Sequence, residues 1–194
     1  MALAAAEVRC ELREILLRDK PSAMLEASAK GTVPVVVLPD RVLDQSLDVM
    51  NWALGERDPL LWTEEPQEEA AALLRDNDGP FKHHLDRYKY SARDETLDAH
   101  HERDQAAVYI ARLETRLVEH AYLTGDRARR ADVALFPFVR QFAGVDKDYW
   151  QHAPFPNTRR WLERWCASPL FERCMHKSPP WRPDDEPVFF PPPG

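Results

Sequence analysis

The chain has 194 residues, 44% of them hydrophobic, which is enough for one sizeable core or two small ones. Its formal net charge of −7 excludes a general nucleic-acid binder, which relies on neutralising phosphates. It contains no apolar run of about 18 residues that could span a membrane, and no partner of either kind is expected.

Met1 to Ala6 has helical composition and begins as though already inside a helix. It lacks the basic start and longer apolar core of a signal peptide. The three cysteines, Cys10, Cys166 and Cys174, form no C-x-x-C. They read as reduced thiols of a cytoplasmic protein, and the bland role of each is a small apolar residue. Glu11 to Leu17 reads as a strand, Lys20-Pro21-Ser22 as a turn, and Ser22 to Ala29 as a short helix.

The next stretch carries the most information. Thr32 to Val37 is a β-branched run interrupted by Pro34. A proline cannot donate to a sheet ladder, so the run should end or edge a sheet there. The Val33–Pro34 bond is also one where a cis peptide costs only about 0.5–1 kcal/mol over trans. In the cis form the backbone groups of Val33 would turn outward, open to pairing with an extended peptide. A turn at Pro39-Asp40, a strand from Arg41 to Leu43, and a helix from Ser46 to about Leu54 follow. Ser46 reads as the N-cap, and that helix end as a carboxylate site. The plainer reading is an edge hairpin followed by a helix.

Gly55 to Pro66 reads as a linker, with Thr63 a candidate cap. From Gln67 the pattern is helical. Residues 67–76 are stopped by Asn77-Asp78-Gly79-Pro80, and Phe81 to Tyr90 is a second helix. Asp94 to Ala121 is a long helix whose Ala106, Ile110, Leu113 and Leu117 form one buried stripe. Thr124-Gly125-Asp126 breaks it. Ala131 to Phe142, Asn157 to Ala167 and Pro169 to Met175 complete the helices. Residues 179–194 hold seven of the 17 prolines and read as an irregular tail. Strands mixed with helices first, then helices alone, argue a small α/β domain and an α-helical one.

His83-His84 and His100-His101 invite a metal reading, but neighbours on a helix point apart and no H-x-x-x-H occurs. His100 with Asp104 has the one usable spacing, and solvated helix faces are the expected outcome, with no metal. Arg127, Arg129 and Arg130 form a basic knot flanked by Asp126 and Asp132.

Lys30-Gly31-Thr32-Val33-Pro34-Val35, followed by Gln45-Ser46, resembles the glutathione-binding core of the cytosolic glutathione transferases. The resemblance covers nearly the whole chain. It implies an incomplete thioredoxin-like N-terminal domain over residues 1–57. A glutathione transferase-like helical bundle over 58–178 and the proline-rich tail of 179–194 follow. Lys20, in Asp19-Lys20-Pro21, stands where the omega-like, cysteine-using branch places a lysine against the tripeptide. By that resemblance Val33, with Pro34, pairs with the cysteinyl backbone of glutathione, while Gln45 and Ser46 take its γ-glutamyl end. Lys82, Arg87 and Tyr88 lie on the helix that lines the co-substrate cleft in the family. The plainer reading of that helix is structural, with surface ion pairs. Ala131 to Pro137 also resembles the family's helical domain, where a Ser or Thr three residues before the aspartate completes a capping box. Here Arg129 takes that place, at a cost of roughly 1 kcal/mol.

The family activates the glutathione thiol with a Tyr, Ser or Cys at the end of the first strand. Met1 to Ala4 matches the middle of the helix that follows it. The strand is central in the family, and its loss removes several buried side chains worth about 1.5–3 kcal/mol each. The expectation is a natural chain that starts upstream, with no catalytic residue inside residues 1–194. Lowering a thiol pKa by about two units requires about 2.7 kcal/mol of selective anion stabilisation. The implied activity is therefore thiol transfer to small electrophiles or mixed disulfides, impaired in this chain, with glutathione as co-substrate and a homodimer possible by resemblance. The alternatives are a non-catalytic binding or scaffold protein and a glutaredoxin-like reductase.

Overall fold

The computed structural model describes residues 1–94 and 96–192. In chain order the elements are α1 (Ala2–Ala5), β1 (Cys10–Glu11), α2 (Ser22–Ala27), β2 (Val36–Val37), β3 (Val42–Leu43) and α3 (Ser46–Glu56). Then come α4 (Gln67–Asp76), a π turn (Asn77–Phe81), α5 (Lys82–Tyr90), α6 (Ala99–Glu119), α7 (Arg130–Val145) and α8 (Lys147–His152). The last are α9 (Pro156–Cys166), α10 (Pro169–Cys174) and β4 (Phe189–Phe190). The chain divides into a first unit, Met1–Leu61 with Pro169–Gly194, and a second, Trp62–Ser168.

The first unit is the α/β one. Alanines make α1 slim, and Ala2, Ala4 and Ala6 bury against the Val49, Met50, Ala53 and Leu54 face of α3. Its strands form two separate antiparallel pairs. β2 pairs with β3 in the register Val36↔Leu43 and Val37↔Val42. β1 pairs with β4, Cys10↔Phe190 and Glu11↔Phe189.

That second pairing corrects the reading of 179–194 as irregular throughout. The ladder continues as Leu12 N–H donates to Val188 O at 2.7 Å, and Trp181 N–H donates to Glu14 O at 2.8 Å. The strand expected over 11–17 is paired in β1 only at Cys10–Glu11, and a tight turn closed by a Leu16↔Asp19 bridge follows farther along. Pro187 and Pro191 bracket the partner, and neither can donate to a longer ladder. Val33–Pro34 and Phe190–Pro191 are cis.

The second unit is helical. Ala106, Ile110 and Leu113 are fully buried and Leu117 is 6% exposed, so the stripe read from spacing faces the core. Phe81 stacks on Tyr109 with ring centroids 4.6 Å apart, and the Tyr109 hydroxyl donates to Leu73 O at 2.9 Å. Asn77 to Pro80 does not stop the helix as expected. The backbone widens into a π turn around Pro80 and runs on into α5. A wider turn accommodates a residue with no N–H to give. The long helix starts later than expected, where Asp98 caps the N–H groups of His100 and His101. The short helix α8, capped by Asp146, was not read from the sequence.

Asp132 is the buried polar centre of this unit. Its Oδ2 accepts Arg129 N–H at 3.0 Å, and its Oδ1 accepts Leu123 N–H at 2.9 Å and Trp161 Nε1–H at 2.8 Å. The aspartate half of the capping box is therefore formed, while Arg129 has no acceptor to return. Within the basic knot, Arg130 finds a counter-charge outside the flanking aspartates. Arg130 Nε donates to the buried Glu65 at 2.8 Å, and Glu65 also accepts Ala131 N–H at 3.0 Å.

Candidate glutathione site

Four of the predicted residues lie at the start of α3 and in the loop that precedes β2. Ser46 is the first residue of α3, and Gln45 holds the N-cap position, with no side-chain cap hydrogen bond. Ser46 is therefore not the cap read from the sequence: its hydroxyl sits one position too late, on a helical backbone. Ser46 N–H belongs to the first turn, whose amides have no acceptor within the helix. Gln45 and Ser46 are both exposed. Val33 is 52% exposed and Pro34 lies half-buried behind it.

Two features tie this patch together. Gly31 adopts φ +60°, a left-handed backbone that glycine takes without strain. A Cβ placed there would come within 3.4 Å of Lys20 Nζ and 3.3 Å of Leu25, so the lysine lies across this glycine. This brings Lys20 beside the Gly31–Val33 segment. The second feature is Asp44. Its Oδ2 accepts from Ser28 Oγ at 3.0 Å, and its Oδ1 accepts from Lys30 Nζ at 2.7 Å. The Lys30 bond, first, holds the Asp44 carboxyl below the usual carboxylate range. Sequence reading missed this brace. Asp44 adjoins Gln45-Ser46, but its partners lie 14 and 16 residues away, and nothing in the local pattern pairs them.

Two of the three thiols are made less acidic by burial. Burial pushes the Cys10 thiol up, and its Sγ donates to Phe190 O at 3.6 Å. Burial likewise raises Cys166. A cleft of about 630 Å³ in the same unit is walled by Leu12, Ile15, Leu16, Trp181 and Val188. It borders Asp19 and Pro21, the neighbours of Lys20, but none of the predicted residues lines it.

In the second unit, Lys82, Arg87 and Tyr88 all sit on α5. Tyr88 is 5% exposed, packs on Phe142, and burial pushes its hydroxyl up to about 12. Arg87 Nε donates to Glu102 Oε1 at 2.6 Å, while His84 Nδ1 lies 2.7 Å from Oε2. Glu102 is 3% exposed, so His84 is tied to a buried carboxylate rather than to a solvated face. Lys82 is exposed, with its ammonium 6.0 Å from the Phe138 ring centre. Among the described residues no group of three or more His, Cys, Asp or Glu could hold a metal, and no helix is long and apolar enough to cross a membrane.

Residues 1–66 match the family described as glutathione S-transferase, N-terminal domain, and residues 60–169 match glutathione S-transferase, C-terminal domain. The chain belongs to the glutathione S-transferase family. Its fold is that family's: a small thioredoxin-like domain with few strands, then a helical domain. No curated protein matches the chain.

Solved structures with this fold include a ternary complex of BphK, a bacterial enzyme of the family. It is 21% identical, with a TM-score of 0.73 over 90% of each chain. Glutathione S-transferase I bound with lactoylglutathione is 18% identical, with a TM-score of 0.71 over 89% of this chain and 88% of that one. A family member from Pseudomonas fluorescens, with two glutathione bound, is 19% identical, with a TM-score of 0.65 over 77% and 72%.

Proposed function

We propose that the first unit binds glutathione and that the protein is a thiol transferase for small electrophiles or mixed disulfides, with its turnover impaired in this chain. Val33 pairs with the cysteinyl backbone, with Pro34 shaping the segment. Gln45 and Ser46 take the γ-glutamyl end, and Lys20 contacts the tripeptide from across Gly31. The supporting observation is the hydrogen-bonded juxtaposition at Asp44. It brings Lys30, three residues before Val33, within 2.7 Å of a carboxylate two residues before Ser46. Lys82, which is exposed, and Arg87, partly exposed and bonded to Glu102, are the proposed co-substrate contacts, with Tyr88 supporting them from the core. A homodimer, a cytoplasmic location and kinship with the cysteine-using branch belong to the same proposal.

Isothermal titration with glutathione tests it. We expect saturable binding that weakens about tenfold in Gln45→Ala or Ser46→Ala, the loss of one hydrogen bond to a charged group. Binding unchanged in both variants would refute the assignment.

A second reading is a glutathione-binding module with weak or no turnover. It is favoured by the upward shift of Cys10 and Cys166, since the thiolate is the nucleophile and both shifts suppress it. Turnover assays with an aryl halide and a glutathione mixed disulfide separate the two. Binding without turnover in either selects the module.

A further inference from the structure

Asp44 occupies the turn between β3 and α3, directly before the two residues assigned to the γ-glutamyl end. Both of its oxygens are used by the loop that precedes Val33. Ser28, 6% exposed, donates to one at 3.0 Å, and Lys30 donates to the other at 2.7 Å. Asp44 itself is about a quarter exposed, so this brace sits at the rim of the patch rather than in the core. It joins two short segments that each carry half of the proposed ligand contacts. The β2–β3 pair, only two residues deep in each strand, also lies between them in the chain. So short a ladder leaves the relative placement of the segments to side-chain bonds.

We propose that Asp44 is a positioning residue that sets the distance between the two halves, and so gives the site its preference for a γ-glutamyl tripeptide over a shorter thiol peptide. This rests on the glutathione reading above. The reasoning is that of a bivalent grip. A ligand that bridges two segments gains from their being held at one spacing, whereas a ligand touching one segment gains nothing. Loosening the brace leaves Val33, Gln45 and Ser46 chemically intact and changes only how often they are correctly apart.

The test compares glutathione with cysteinylglycine, which retains the part that meets Val33 and lacks the γ-glutamyl end. Affinities are read by NMR titration of the Val33, Gln45 and Ser46 amides. Asp44→Ala is expected to weaken glutathione about tenfold and leave cysteinylglycine within about twofold. The exchanged pair Lys30→Asp/Asp44→Lys restores most of the loss, since the Ser28 hydroxyl can accept as well as donate. Ser28→Ala gives a smaller change of the same pattern and serves if Asp44→Ala does not fold.

Equal weakening of both ligands, or no weakening of glutathione, overturns the positioning role. A wild-type chain that binds both ligands equally instead overturns the γ-glutamyl assignment on which the inference stands.

Discussion

Glu102 shows how a single carboxylate can hold two helices in register. It lies on α6, yet its oxygens are taken by His84 and Arg87 of α5. The His84 hydrogen bond, with help from Arg87, holds its carboxyl below the ordinary glutamate range. A group with a depressed native pKa contributes stability above its unfolded value, and loses that contribution as pH falls through the native one. Glu102→Ala should therefore destabilise the second unit by about 2 kcal/mol near neutral pH, below the roughly 3–5 kcal/mol for a fully buried pair losing one partner. Arg87, 43% exposed, recovers part of its hydration, which keeps the loss at that level. The difference from wild type should shrink below pH ~4, as urea titrations at several pH values would show.

Asp132 has the opposite sign. Burial pushes it up to about 6, so the native state takes a proton more readily than the unfolded chain. Between about pH 4 and 6 its contribution to stability falls as pH rises, and Asp132→Asn should flatten that window. Asp132→Ala leaves three donors without an acceptor and should cost about 3 kcal/mol.

Elements with strong internal periodicity were legible in the sequence. The α6 stripe is the clearest. Ala106, Ile110, Leu113 and Leu117 repeat at helical spacing, and all four are buried. Leu113→Ala, at a position with no exposure, should cost about 2–5 kcal/mol in chemical denaturation. The hairpin was legible too, because proline and turn residues punctuate it. The strand over 11–17 was not, because its extent is set by a partner 180 residues away in sequence. The same holds for β4: the prolines around Phe189–Phe190 mask two residues that pair. The π turn was missed for another reason. Gly79-Pro80 is a stop signal by local rules, and only the surrounding helices hold the backbone through it.

The proposed site divides along the same line. Val33, Pro34, Gln45 and Ser46 could be named from local pattern and resemblance. The Asp44 brace depends on a fold that brings Lys30 to it. A chain ending at Ser178 checks the tail's role. Without Val188 and Trp181 as partners, the Leu12 amide should exchange at least about tenfold faster in hydrogen-exchange mass spectrometry. Unchanged protection would mean β1 does not need β4.

At the scale of the whole molecule, the two units are unequally built. Among the described residues, the fully buried large side chains, Trp161, Phe81, Phe136, Phe142 and Leu85 among them, all belong to the second unit. The first unit buries alanines, Val49, Met50 and Leu54, while Leu16, Leu17, Val33, Val37, Leu60 and Leu61 stay exposed. Apolar burial contributes about 25 cal/mol per Å², so the first unit has the smaller margin. Local opening follows that margin, and the unit with the sparser core opens first. Amides of α3 should therefore exchange sooner than those of α6, although both helices run beyond ten residues.

Glutathione provides the discriminating perturbation. A ligand that binds only the native first unit stabilises it by about 2.7 kcal/mol at a hundredfold excess over its Kd. Protection should then rise across α3 and β2–β3 while the slow amides of α6 hold their rates. A uniform rise in both units would mean that they open together, and equal rates with and without glutathione would mean that the first unit does not hold the tripeptide.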